Sequence, residues 1–91
     1  MDLNFNKEGN SFVAEFEATG DFNLHVERAK GGVFNIYQRT AQSGKYAYVE
    51  GLGSQTGKDV IEYDFTGIVY PKSIRVVSES EPTMAVVTFN A

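Results

Sequence analysis

Any chemistry in this chain has to come from a short inventory of side chains, beginning with a single histidine, His25, in a sequence without cysteine. A zinc site or a nucleophile with its base would rest on that one imidazole and scattered carboxylates, and no Gly-x-Ser-x-Gly elbow offers a serine. His25 falls between Leu24 and Val26 on the polar side of an alternating run, so it reads as a surface histidine. Asp59, Glu62 and Asp64 form a second group. Glu62 and Asp64 share a strand face and Asp59 precedes them at a loop mouth, a gathering that could bind calcium or work as an acid–base pair. The spacing of an EF-hand is absent, however, and Glu15 and Glu17 repeat the pattern elsewhere, as acids do when they solvate a strand.

The run from Gly51 to Lys58, GLGSQTGK, has the look of a phosphate loop but not its spacing. A P-loop places four residues between its glycines and follows its lysine with Ser or Thr, whereas here five residues separate Gly51 from Gly57 and Asp59 follows Lys58. Strands flank it on both sides, so it reads as a mobile connecting loop. The residues best suited to recognition are tyrosines: Tyr37, Tyr46, Tyr48, Tyr63 and Tyr70. Tyrosines beside Asn, Gln and Arg supply the stacking and hydrogen bonding that sugars and protein partners use. Tyr37 lies two positions from both Asn35 and Arg39, so strand periodicity projects all three from one face. Asn35, Tyr37, Arg39, Tyr46 and Tyr48 are the candidate ligand-binding set; the competing reading makes most tyrosines the half-buried edge of a core.

The elements that must position these groups are strands. Phe22, Leu24 and Val26 alternate with Asn23, His25 and Glu27, and Phe34 and Ile36 alternate with Asn35 and Tyr37, which predicts a β-hairpin over 21–40 turning at Ala29-Lys30-Gly31-Gly32. Phe12, Ala14, Phe16 and Ala18 oppose Glu15 and Glu17; Ile61, Tyr63 and Phe65 oppose Val60, Glu62 and Asp64; Ile74 and Val76 oppose Arg75 and Val77. Leu3 and Phe5 alternate ahead of a polar reversal over 7–10. About eight short strands at the ~8–12 residue spacing of a sandwich or barrel result. The predicted fold is an all-β, two-sheet antiparallel sandwich, immunoglobulin-like or a small jelly roll, in one domain spanning 1–91.

Composition narrows the function further. The net charge is -4 with eight scattered basic residues, so the electrostatic attraction behind nucleic-acid binding is missing and no nucleic-acid partner is expected. No apolar run approaches the ~18 residues of a membrane span and MDLNFNKEGN lacks the form of a signal peptide, which predicts cytoplasmic synthesis and no membrane partner. No catalytic residue, metal or cofactor is expected, and the protein reads as a non-enzyme. Met84 to Phe89 is apolar on both faces and uncharged, as suits a strand central in its sheet or covered by a partner. Together with the run from Ile74 to Val77 it predicts a protein interface carried by Ile74, Val77, Val87 and Phe89, within a homo-oligomer or larger assembly.

The strings DFNLHVER and GGVFNIYQRT, followed by VIEYDF and YPKSIRVVSESEPTMAVVTF, resemble small all-β accessory proteins encoded by bacteriophages and prophages of gut Bacteroidetes. The likeness is one of strand rhythm over most of the chain. It implies a virion-associated role, as a head or tail decoration or a fibre-forming module, with surface polysaccharide as a further ligand, and it assigns no functional residue. Two readings therefore stand beside each other: a structural or assembly module, and a glycan-binding module that uses the tyrosine face.

Overall fold

The alternating runs become eight strands in the computed structural model, which describes residues 1–53 and 59–90. They are β1 (Asn6–Glu8), β2 (Ser11–Ala18), β3 (Phe22–Arg28), β4 (Phe34–Arg39), β5 (Ala47–Leu52), β6 (Asp59–Phe65), β7 (Lys72–Ser78) and β8 (Pro82–Phe89). Five pair in the order β1-β2-β7-β4-β5 and three in the order β6-β3-β8, every pairing antiparallel. The protein is thus the two-sheet sandwich its periodicity predicts. Counting β2 to β8 as seven strands, the second pairs with the fifth and the third with the sixth, as in an immunoglobulin-like order. The first, fourth and last depart from it: β2 joins β7, β5 joins β4, and β8 joins β3.

Leu24, Val26, Phe34, Ile36, Ile74, Val76 and Val87 have no solvent exposure and fill the space between the sheets. At one end of this core Phe22 stacks on Phe65 at 5.1 Å, and Phe16 and Phe89 meet Phe22 edge-on at 5.2 and 6.0 Å. Such ring pairs contribute about 0.5–1.5 kcal/mol beyond their buried area. Two expected interface residues therefore belong elsewhere. Ile74 and Val87 face inward and are wholly buried in the core, because they sit in phase with Val76 and Ala85 on the inner side of their strands. Phe89 is half-buried against the same core, and Val77 alone of the four lies on an outer face.

The hairpin expected over 21–40 does not form. β3 and β4 lie in different sheets, so residues 29–33 carry the chain across the sandwich instead of turning it back. Alternation explains why: it continues past Val26 to Arg28, which must also point inward. Arg28 is 2% exposed as a residue, and all five of its N–H groups are satisfied. Nε donates to Asp59 Oδ1 at 3.2 Å and Nη2 to Asp59 Oδ2 at 2.5 Å. The remaining donors reach Gly32 O at 2.8 Å, Val33 O at 3.2 Å and Ser78 Oγ at 3.1 Å, with the Phe34 ring 5.6 Å beneath. Gly32 and Val33 can present their carbonyls to a cation between the sheets only if the loop crosses over it. Gly32 takes φ +113 there, and a Cβ on it would run into the Glu79 side chain.

β8 is not central, as its apolar faces suggest, but an edge strand whose outer side is taken up by the chain itself. Val87 N donates to Met1 O at 2.8 Å and Leu3 N to Ala85 O at 2.9 Å. Leu3 is buried, Phe5 packs on the core, and residues 6–8 then join the other sheet, so the first residues close that side of the sandwich. Two smaller boundaries also move. Strand β1 is Asn6–Glu8, within the stretch expected to reverse, rather than the alternation of Leu3 and Phe5, leaving Gly9 (φ +63) and Asn10 to make the reversal, and β5 extends through Gly51 to Leu52. The rest of the predicted loop, residues 54–58, lies outside the described residues.

Removing one partner of a buried ion pair costs about 3–5 kcal/mol because the other charge stays buried alone. Arg28→Ala is expected to lose that much in a urea unfolding titration, and Arg28→Lys to recover little of it, since an ammonium cannot fork onto Asp59 while serving three further acceptors.

Candidate functional site

Each sheet has one face on the core and one toward solvent, and the outer face of the five-stranded sheet carries the candidate binding residues. Three rows cross it. Val13, Val77 and Asn35 lie in register, as do Glu15, Arg75 and Tyr37, and then Glu17, Ser73 and Arg39. A bulge between Ile36 and Tyr37 shifts β5 so that Tyr48 stands opposite Tyr37. Their rings meet edge-on at 5.9 Å, and Asn35 Nδ2 lies 3.4 Å from the Tyr37 hydroxyl. The Tyr48 hydroxyl folds over Gly51, which has no Cβ to obstruct it. Tyr46, just ahead of β5, is covered by the Arg39 guanidinium at 4.5 Å and has Arg75 at 5.9 Å. All five candidate residues thus stand on one face, with Tyr48 the most open at 61% exposure.

The charges on this face are only partly matched. Arg75 donates to Glu15 at 2.5 Å and to Glu8 at 3.3 Å. The hydrogen bond to Glu15, followed by the charges of Glu15 and Glu8, raises its pKa and keeps it cationic. Arg39 makes no ion pair among the described residues. Its Nη1 donates to Gly44 O at 3.2 Å, and its Nε is the one buried side-chain polar atom among them left without a partner. Glu17 is exposed and likewise makes no ion pair there.

Tyr63 and Tyr70 stand apart from this face. Tyr63 packs against the core with its ring 6.0 Å from Phe65, and Tyr70 is exposed in the connection between β6 and β7, 5.7 Å from Lys72 Nζ. The carboxylate trio is split as well: Asp59 turns inward to Arg28, while Glu62 and Asp64 face outward on β6. No group of three or more His, Asp or Glu among the described residues is arranged to hold a metal.

Instead, His25 takes Glu62 as its partner on the outer face of the three-stranded sheet, where β3 and β6 run in register. Nδ1 meets Glu62 Oε1 and Nε2 meets Glu27 Oε2 at 2.8 Å; Asn23 Nδ2 donates at 3.0 Å to both Glu62 and Asp64. An imidazole can serve two carboxylates at once only when both its nitrogens carry protons. The hydrogen bond to Glu27, then that to Glu62, raises the His25 pKa above 6.5, and the hydrogen bonds from Asn23 and His25 lower that of Glu62 below 4.5.

Sequence reasoning missed Arg28 and the Arg75–Glu15–Glu8 network. Arg28 and Ser78 were within its reach, because each continues an inward alternation. The Arg75 network was not, since it depends on β2 pairing with β7 across most of the chain. No protein-family model matches the sequence, and neither does any curated protein. The geometry of the two outer faces is therefore the basis for a functional reading.

A raised His25 pKa means that its contribution to stability is complete below pH 6.5 and fades as pH rises through the folded value. The lowered Glu62 pKa contributes above pH 4.5 and fades as pH falls through its folded value. Support from the pair is thus greatest between these limits. The His25 ring titration followed by NMR is expected to show a midpoint above 6.5 that Glu27→Gln and Glu62→Gln each move downward.

Proposed function

We propose that the chain is a non-catalytic assembly module that docks on protein through the outer face of its five-stranded sheet. The observation that carries this reading is the gathering of Tyr37, Tyr46, Tyr48, Arg39 and Arg75 on one face. Tyr and Arg are the residues enriched at protein interfaces and at their energetic centres, since both cover apolar area while keeping a polar handle. Val77 adds an apolar patch in the same field, so the interface expected from the sequence moves to the outer side of β7. Beside this face runs β5, an edge strand with neither Lys nor Pro to discourage pairing. The strand rhythm shared with phage accessory proteins supports a place on a virion, as a decoration or fibre component.

A second reading is favoured by one detail of the same face. The open Tyr48 ring stands beside the Tyr37 hydroxyl and the Asn35 amide, a stacking surface next to hydrogen-bonding groups of the kind that holds a sugar ring. Glycan binding is the alternative on these grounds.

Light scattering and a glycan array, run on the wild-type protein and on Tyr48→Ala, separate the two. Tyr48 is exposed, so its truncation is expected to leave folding within about 0.5 kcal/mol of wild type. Association that weakens in Tyr48→Ala without any array signal is the expected result. A monomer whose array signal disappears in Tyr48→Ala establishes the glycan reading instead, and association or binding that ignores the substitution removes this face from the function.

A further inference from the structure

The proposed assembly reading leaves the partner open, and the charge order across the face names one. On the outer side of the five-stranded sheet, β2 presents Glu15 and Glu17, β4 presents Asn35, Tyr37 and Arg39, and β7 lies between them carrying Ser73, Arg75 and Val77. One flank is acidic and the other is made of hydrogen-bond donors. Adjacent strands are about 4.8 Å apart, so the flanks lie on the order of 10 Å from each other with β7 between them, and Glu17 and Arg39 form no ion pair across it. Neither residue finds an ion pair among the described residues, and Arg39 Nε is without a hydrogen-bond partner among them.

We infer that this face binds a second copy of the chain about a two-fold axis running along β7. Two copies laid face to face about that axis place the β2 flank of each over the β4 flank of the other. Glu17 then meets the second copy's Arg39 and Glu15 meets its Tyr37, twice over, as an isologous interface requires. The groups on the axis allow close approach. Ser73 is small and Val77 apolar, and Arg75 brings its own neutralising carboxylates, Glu15 and Glu8. Face-to-face packing with strands within about 30° is a standard arrangement for sheets. A molecule 36 × 28 × 19 Å across also has broad faces larger than the ~800 Å² per partner of an ordinary stable interface.

The inference rests on the assembly reading and makes a distinctive demand on charge. By light scattering at micromolar concentration the wild-type protein is expected to be dimeric and to dissociate as salt is raised. Glu17→Arg and Arg39→Glu should each weaken dimerisation at least about tenfold by setting like charges opposite each other. The double variant Glu17→Arg/Arg39→Glu should recover it, and an equimolar mixture of the two single variants should form mixed dimers, because one then carries only cations at these positions and the other only acids. Glu17 is exposed, so the Glu17→Arg variant keeps the test decisive even if Arg39→Glu disturbs Tyr46. Association untouched by either reversal, or reversals that the double variant does not rescue, would overturn the two-fold arrangement while leaving assembly standing. A monomeric wild-type protein would overturn both.

Discussion

A guanidinium removed from water has to recover every hydrogen bond it gave up, and the way Arg28 does so fixes where three other parts of the chain can lie. Its five donors end on the start of β6, the end of β7 and two consecutive carbonyls of the segment leading to β4. Further polar links extend from there: Ser78 Oγ donates to Ser80 O at 2.5 Å, Ser80 Oγ to Lys30 O at 2.7 Å, and Glu79 N to Val33 O at 2.9 Å. One end of the sandwich is thus held by a saturated polar clasp and the other by packed phenyl rings. Apolar residues in place of such a pair often match its stability. Its particular effect here lies in what it excludes, since a β3–β4 hairpin would leave the guanidinium without its carbonyls.

Strand content was legible because the signal for it is local. Apart from Leu3 and Phe5, which lie ahead of β1, the runs in which apolar residues recur at every second position became strands, and the two-layer arrangement follows once each strand has one apolar side to bury. The partners of each strand were not legible, since a period of two states which side is buried but not which neighbour is bonded. The 21–40 segment shows the difference. Its alternation and its glycines are equally compatible with a turn inside one sheet and a crossing between two, and the deciding residue is a charged one at the end of the run. Asp59 behaves likewise: among outward acids it reads as solvated, yet it shares the inward phase of Ile61 and serves a cation more than 30 positions away.

The candidate site followed the same division. Asn35, Tyr37 and Arg39 could be placed on one face from their spacing, and the face is as predicted. Tyr48 reaches it through a bulge and the absence of a side chain at Gly51, neither of which spacing reveals. Ile74 and Val87 went the other way, because an apolar residue in an uncharged run carries no mark distinguishing a core contact from an intermolecular one.

Pairing between residues 1–3 and 85–87 bears on how the molecule is made as well as on how it is held. The β2–β7 and β3–β8 ladders also join distant parts of the chain, so most of the native structure forms only after long loops have closed. Chains of this contact order fold in about milliseconds to seconds, far slower than helical bundles of similar size. Until the first residues reach it, β8 is an uncharged strand with one side open to any other strand. Whenever residues 1–3 are detached, that open edge is a template for pairing with another copy, so the same few backbone hydrogen bonds that hold the segment also guard against aggregation.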